Sequence, residues 1–300
     1  MFVVKYEPSA ACESDLSDGL QNRLHGFDSH RGLKKMKKAA LILSLFVFLL
    51  LPPGAYAQEF DFAKAYQDFI FTQTEYDQAD SDYEQSKNSY LKNPTLTLKE
   101  EARKKTLIML KSRDELFRVY LSALRMKLLE IKFALPPKMD DEISWYKGHK
   151  EVYKDDDPLE TLFSKSKESK SRFTSDTSFV IYESLFDISF GEIQNIRGDQ
   201  EKVYSSLKNS IDLGVKEGIL VIDPFNRWFT DIDSIITELD AINLKAKAKI
   251  AKMYGTSSIL PKNSYNSAIA DLIPATAKIL ELNQFLTEFL NAINARLIKP

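Results

Sequence analysis

Downstream of residue 57 the sequence offers a single imidazole, His149, and no thiol, because the other histidines (His25, His30) and the lone Cys12 all precede it. A Ser-His-Asp arrangement would have to use His149 as its base, yet no serine stands near it in a strained elbow motif. A zinc site with several imidazoles has no ligands to draw on, and neither disulfides nor thiolate sites are available. Carboxylates are left. They cluster as Asp77, Asp80, Asp82 and Glu84, as Asp140-Asp141-Glu142, as Asp155-Asp156-Asp157, and as Asp231 and Asp233. None follows the calcium-loop pattern with its central glycine, and the Glu-x-x-His pair of di-iron bundles does not occur. The expectation is therefore a protein without catalytic residues, metal or cofactor, in which His149 sits on the surface of an irregular connector and the acidic clusters are solvated faces and helix caps.

Two further features invite a functional reading. Arg197-Gly198-Asp199 spells a tripeptide read by adhesion receptors. It lies inside an apolar period whose neighbours Ile196 and Val203 should face a core, so the glycine is read as a local helix distortion. More distinctive is an aromatic ladder at strict sevens, Phe62, Phe69, Tyr76, Tyr83 and Tyr90, with Ala65, Thr72, Ala79 and Ser86 three residues after the first four. Aromatic a positions opposite small d positions let two helices approach closely, which makes the ladder core. The other reading gives the hydroxyls of Tyr76, Tyr83 and Tyr90 to a partner-binding groove.

The elements that would carry these residues are long helices. Every strong apolar period is seven or 3.6, and ten glycines and eleven prolines in 300 residues give little punctuation. A first helix over about 60–91 ends at Asn93-Pro94. Thr97-Leu98-Lys99-Glu100 reads as a capping box for a second helix, with Leu110, Phe117, Leu124 and Ile131 at sevens as far as Pro136-Pro137. A short polar loop between long helices makes them an antiparallel hairpin. Residues 138–157 read as an irregular connector, and Asp157-Pro158 as a cap-plus-proline start. Ser164 to Lys170 is nearly free of apolar residues and reads as an exposed, frayed turn. Further periods run through Phe179, Phe186, Ile193 and Gln200 to Gly214 and Gly218, through Trp228, Ile235, Ile242 and Met253, and through Leu272, Ile279, Leu286 and Ile293, with Pro274 kinking or restarting the last. The fold class expected is all-α, an elongated up-and-down bundle of about five long helices. Residues 58–137 form its hairpin, and 158–300 a three-helix unit packing with or beside it.

Ahead of the bundle, Met36 to Gln58 has a basic start, an apolar run from Ala39 to Leu51, a Pro52-Pro53-Gly54 break, and Ala55-Tyr56-Ala57 before Gln58. That order is a signal peptide for the general secretory route, with cleavage marked by Ala55, Ala57 and Gln58. Met36 is the expected true start in a bacterial gene, and residues 1–35 an over-extended gene start or a long n-region. After cleavage 34 basic face 38 acidic residues, a mildly acidic balance that offers no field for nucleic acid. The function expected is that of an exported, non-enzymatic bundle found in the periplasm, at the cell surface or secreted. It would act as a scaffold, envelope-associated adaptor or partner-binding module, through a protein partner or self-association by helix faces, with no transmembrane span after signal removal. The alternative is a sensor or carrier with a small-molecule pocket between helices.

Overall fold

The computed structural model describes residues 61–254 and 260–297, so the signal peptide expected from the sequence and its expected cleavage residues Ala55, Ala57 and Gln58 lie outside the described residues. Helix accounts for 88% of what is described, and no strand occurs there. Phe60–Pro300 group as one compact unit. No helix among the described residues is long and apolar enough to cross a membrane.

Helix α1 (Phe62–Lys92) begins at Asp61, whose side chain accepts from the Lys64 amide at 2.8 Å. It buries Phe69, Thr72, Tyr76, Ala79, Tyr83 and Ser86, the a and d positions of the heptad. Tyr90, near its end, is half-buried. Helix α2 (Leu96–Glu130) returns antiparallel, as Lys105 pairing with Asp82 at 2.6 Å and the Phe69–Tyr120 ring contact at 5.3 Å require. Its cap is Thr95, which accepts from the Leu98 amide, and not the Thr97 box expected from sequence.

The C-terminus of α2 also comes earlier than Pro136. Lys132 adopts a left-handed conformation (φ 57°), the Lys132 amide donates to the Leu129 carbonyl and the Phe133 amide to that of Leu128. This is a Schellman stop made without glycine, which costs about 1 kcal/mol of backbone strain. The stop is locked from outside. Phe133 and Ile131 press on Gly191, where an added Cβ would meet them at 2.8 and 2.9 Å, and Asn195 donates to the Ile131 carbonyl at 2.9 Å.

The connector is largely helical. Helix α3 (Met139–Lys150) carries three acidic residues in its first turn and basic ones in its last, the polarity that the helix dipole favours. Helix α4 (Leu159–Arg172) corrects two expectations. Asp157 does not cap it; its carboxylate instead takes the Lys154 amide and the Lys165 ammonium. The stretch Ser164–Lys170 is not frayed, since Ser166 and Ser169 are buried.

A π-turn, Phe173–Thr177, joins α4 to helix α5 (Ser178–Lys216). The inward stripe explains it. Residues 169, 173, 177 and 181 are spaced by four three times running, and on a regular helix each such step drifts about 40°. The wider π-turn absorbs that drift, so the stripe stays against α2. Helix α5 ends at Gly218 (φ 72°), with the Ile219 amide reaching back to the Gly214 carbonyl. Helix α6 (Asn226–Ala251) and helix α7 (Pro261–Leu297) complete a three-helix unit. Pro274 lies inside α7 without ending it. Arg197–Asp240 at 2.6 Å and Lys278–Glu238 at 2.6 Å set α6 antiparallel to its neighbours. The Gln200 amide donating to the Ile279 carbonyl and the Tyr182–Tyr265 ring contact set α5 and α7 parallel. Phe186, Phe190, Ile232, Leu239, Leu272 and Phe289 lie at the core of this unit.

Burial of the aromatic ladder has a measurable consequence. Tyr76→Ala is expected to lower stability by about 3 to 5 kcal/mol, read as a clear drop in the thermal unfolding midpoint.

Candidate functional site

The greatest concentration of chemistry-bearing side chains lies where α2, α3 and α4 meet. Asp114, in the middle of α2, is fully buried, and a carboxylate there must be paired. His149 supplies one partner, its Nδ1 standing 2.5 Å from Asp114 Oδ2, and Ser169 donates to the other oxygen at 2.9 Å. Arg113 approaches Asp114 Oδ1 at 3.6 Å and donates to the Ser166 hydroxyl at 3.1 Å and to Tyr153 at 3.4 Å. The imidazole stacks on Trp145, with ring centroids 4.4 Å apart and planes 13° from parallel. His149 is thus 5% exposed, which overturns its expected place on the surface. The cause is tertiary: its partner lies 35 residues away on another helix.

About two turns back along α3, Glu142 is also fully buried. Arg172 grips both its oxygens, at 2.5 and 3.2 Å, and Thr177 from the π-turn donates at 2.7 Å. Tyr146 shares a 3.0 Å hydrogen bond with Thr177, and burial pushes the Tyr146 hydroxyl well above its ordinary value. The Arg172 guanidinium lies 5.6 Å from the Trp145 ring, which links the two carboxylate clusters.

Chemically, Asp114 and His149 form an acid–base dyad. A carboxylate against Nδ1 makes that nitrogen the donor. The buried Nε2 has no hydrogen-bond partner, and Glu168 Oε2 stands 3.8 Å from it. A hydrolytic triad would need a hydroxyl on Nε2. Of the two nearby serines, Ser169 donates to Asp114 and Ser166 accepts from Arg113, and neither bonds Nε2. Among the described residues no three His, Cys, Asp or Glu side chains converge as a metal would require.

A second acidic pair lies at the end of the three-helix unit where α5 begins. Tyr254 donates to Glu183 at 2.5 Å, and burial with the charge of Glu183 raises Asp187 from 3.8 to about 7, against the pull of Lys247.

Of the sequence-derived partner-binding candidates only Tyr76 comes up to this polar layer, where it faces Arg113. Tyr76 and Tyr83 are buried on α1, with Tyr90 half-buried beyond them. The Arg-Gly-Asp stretch lies in an uninterrupted part of α5, and Gly198 distorts nothing. Arg197 is held by Glu201 and Asp240, both at 2.6 Å, and Asp199 by Lys202. Its neighbours Ile196 and Val203 are exposed, contrary to expectation. No protein-family model, curated protein or solved structure matches the chain.

Two outcomes test these electrostatics. Asp114→Ala strands a buried imidazole and the Ser169 hydroxyl, and should cost about 3 to 5 kcal/mol in chemical unfolding. Asp187 titrates higher folded than unfolded, so its contribution is most favourable when protonated and is lost as pH rises from about 4 to about 7. Asp187→Asn should therefore be more stable than the parent above pH 7 and equal to it below pH 4, as unfolding across that range will show.

Proposed function

We propose that the protein is an exported, non-enzymatic helical scaffold that works by holding a protein partner on a helix face. One observation carries this reading. The outer face of α7 presents Ile273, Thr276, Ala277, Leu280, Gln284, Thr287 and Asn291, all exposed and none charged, with exposed Glu288 along one edge, in a chain whose residues are 28% charged. Exposed helix faces are ordinarily rich in Lys and Glu, and an uncharged one with large aliphatic residues is what helix-in-groove recognition uses. The interior polar groups of α2, α3 and α4 support the same reading, since they are spent largely on one another. Export by the general secretory route to the periplasm, the cell surface or the medium rests on the Met36–Gln58 sequence.

A small-molecule carrier is the second reading. It draws on buried polar atoms that lack protein partners, namely the Asn243 side-chain amide, Gln200 Oε1 and the Tyr120 hydroxyl. A polar guest between helices would satisfy them.

Photo-crosslinking in exporting cells tests the first. A crosslinker in place of Leu280 should give one discrete protein adduct, and one in place of the exposed Lys202 should give none. A protein without a discrete adduct from any position of the α7 face would defeat the scaffold reading.

A further inference from the structure

The end of the α1–α2 hairpin projects past its last brace. The connector holds α2 as far as Arg103, which donates to the Asp155 and Asp157 carbonyls at 2.6 and 3.2 Å. From there α2 runs back seven residues to Leu96, a length of about 10 Å. Its first two turns pack on the last turns of α1 across the Asn93–Thr95 link. Tyr90 and Leu98 are half-buried there. Leu91 and Leu96 are 61 and 83% exposed.

Charge along the hairpin is polarised. Residues 61–84 hold seven carboxylates against Lys64, whereas residues 85–99 hold Lys87, Lys92 and Lys99 and no carboxylate. Toward the base of this end the two signs are matched: Lys87 pairs with Glu84 at 2.7 Å, Lys105 with Asp82 at 2.6 Å and Arg103 with Glu100 at 2.7 Å. Glu101 and Lys104 stand exposed there and offset one another. The extremity itself therefore presents Lys92 and Lys99, both exposed, beside Leu91, Leu96 and a link without charge. Asp68, Glu75 and Asp77, the exposed acids of the shaft, lie more than about 20 Å back along α1 from Lys92. That is more than about two Debye lengths at physiological salt.

We propose that this end of the hairpin is a docking surface for an anionic phospholipid membrane, with Leu91 and Leu96 entering to the headgroup level and Lys92 and Lys99 meeting lipid phosphates. The inference goes beyond the scaffold reading and does not depend on it. Charge selects an anionic surface. In a chain of net charge −2, the extremity carries cations without anions, and repulsion of the acidic shaft behind it turns the hairpin end-on. Shape selects a lipid one. Two exposed leucines on a convex end would need a matching cavity in a protein partner, whereas a fluid interface closes around them. The lysine stems lie along the same apolar depth and keep their ammonium groups at the phosphates. Such a contact is shallow and reversible, because two leucines and two lysines fall far short of a spanning segment.

Co-sedimentation of the purified exported protein with vesicles tests this. Vesicles of phosphatidylcholine mixed with phosphatidylglycerol should carry the protein down, vesicles of phosphatidylcholine alone should not, and added salt should release it. Lys92→Glu with Lys99→Glu, and separately Leu91→Ser with Leu96→Ser, should each lower the partition coefficient onto the mixed vesicles by about tenfold or more. The thermal midpoint should stay as it was, since all four side chains are exposed. Arg227→Glu and Leu244→Ser, changes of the same kinds at exposed positions of α6, should leave the partition unchanged. A protein that ignores phosphatidylglycerol, or binds the mixed vesicles equally well with either pair changed, overturns the proposal. Capture by soluble polyglutamate as strong as by vesicles, and undiminished by the two serine changes, also overturns it and assigns the lysines to an acidic protein partner.

Discussion

Helix α2 packs against more of the other α-helices than any other helix does, and that sharing constrains the rest of the molecule. It packs on α1, α3, α4 and α5, and buries fourteen of its thirty-five residues. A helix enclosed on several sides cannot keep one apolar stripe and one wet face. Any polar residue on it either reaches solvent between neighbours or must be paired inside. Asp114 is the residue for which the second condition applies, and the placing of α3 and α4 follows from it. Each brings one hydrogen-bonding group to this carboxylate, His149 from α3 and Ser169 from α4. With no cysteine after residue 57, those noncovalent contacts and the apolar packing around them hold the connector to the hairpin.

Such a layer contributes less to net stability than to specificity. Desolvating ionic groups costs several kcal/mol each, so a buried pair competes poorly with aliphatic packing of equal volume. It does penalise wrong arrangements, because sliding α4 by one turn would take Ser169 from Asp114 and Arg172 from Glu142. Arg172 and Thr177 both reach Glu142 only because the π-turn separates them by the right rotation. Register is thereby fixed in a part of the chain where Ser-Lys-Ser-Lys patterning gives little hydrophobic guidance.

That contrast explains what could be read from the sequence. The hairpin was legible because its code is local: aromatic residues at sevens with small residues three later describe one face of one helix, and the structure buries that face. The Gly214 and Gly218 stop was legible for the same reason. His149 was not, because the segment around it is polar and its burial depends on Asp114, far away in sequence. Ser166 and Ser169 looked like solvent-exposed residues for want of any sign that a carboxylate faced them. Ile196 and Val203 fit the apolar period of α5 well, yet their exposure follows from where a different helix ends. Periodicity reports which face a helix would bury, and only the lengths of its neighbours decide how much of that face is covered.

The π-turn between α4 and α5 has a consequence for how the chain tolerates change in length. A surplus residue in a continuous rod is ordinarily ruinous, since every side chain after it swings by about 100°. Here the surplus is confined to five residues, of which Thr174 and Ser175 point outward. The rod thus works as two splined shafts joined by a coupling, each keyed to its own set of neighbours. Mutational wear that lengthens or shortens the chain has one place in this rod where it can be taken up locally, and the remaining turns stay keyed as they are.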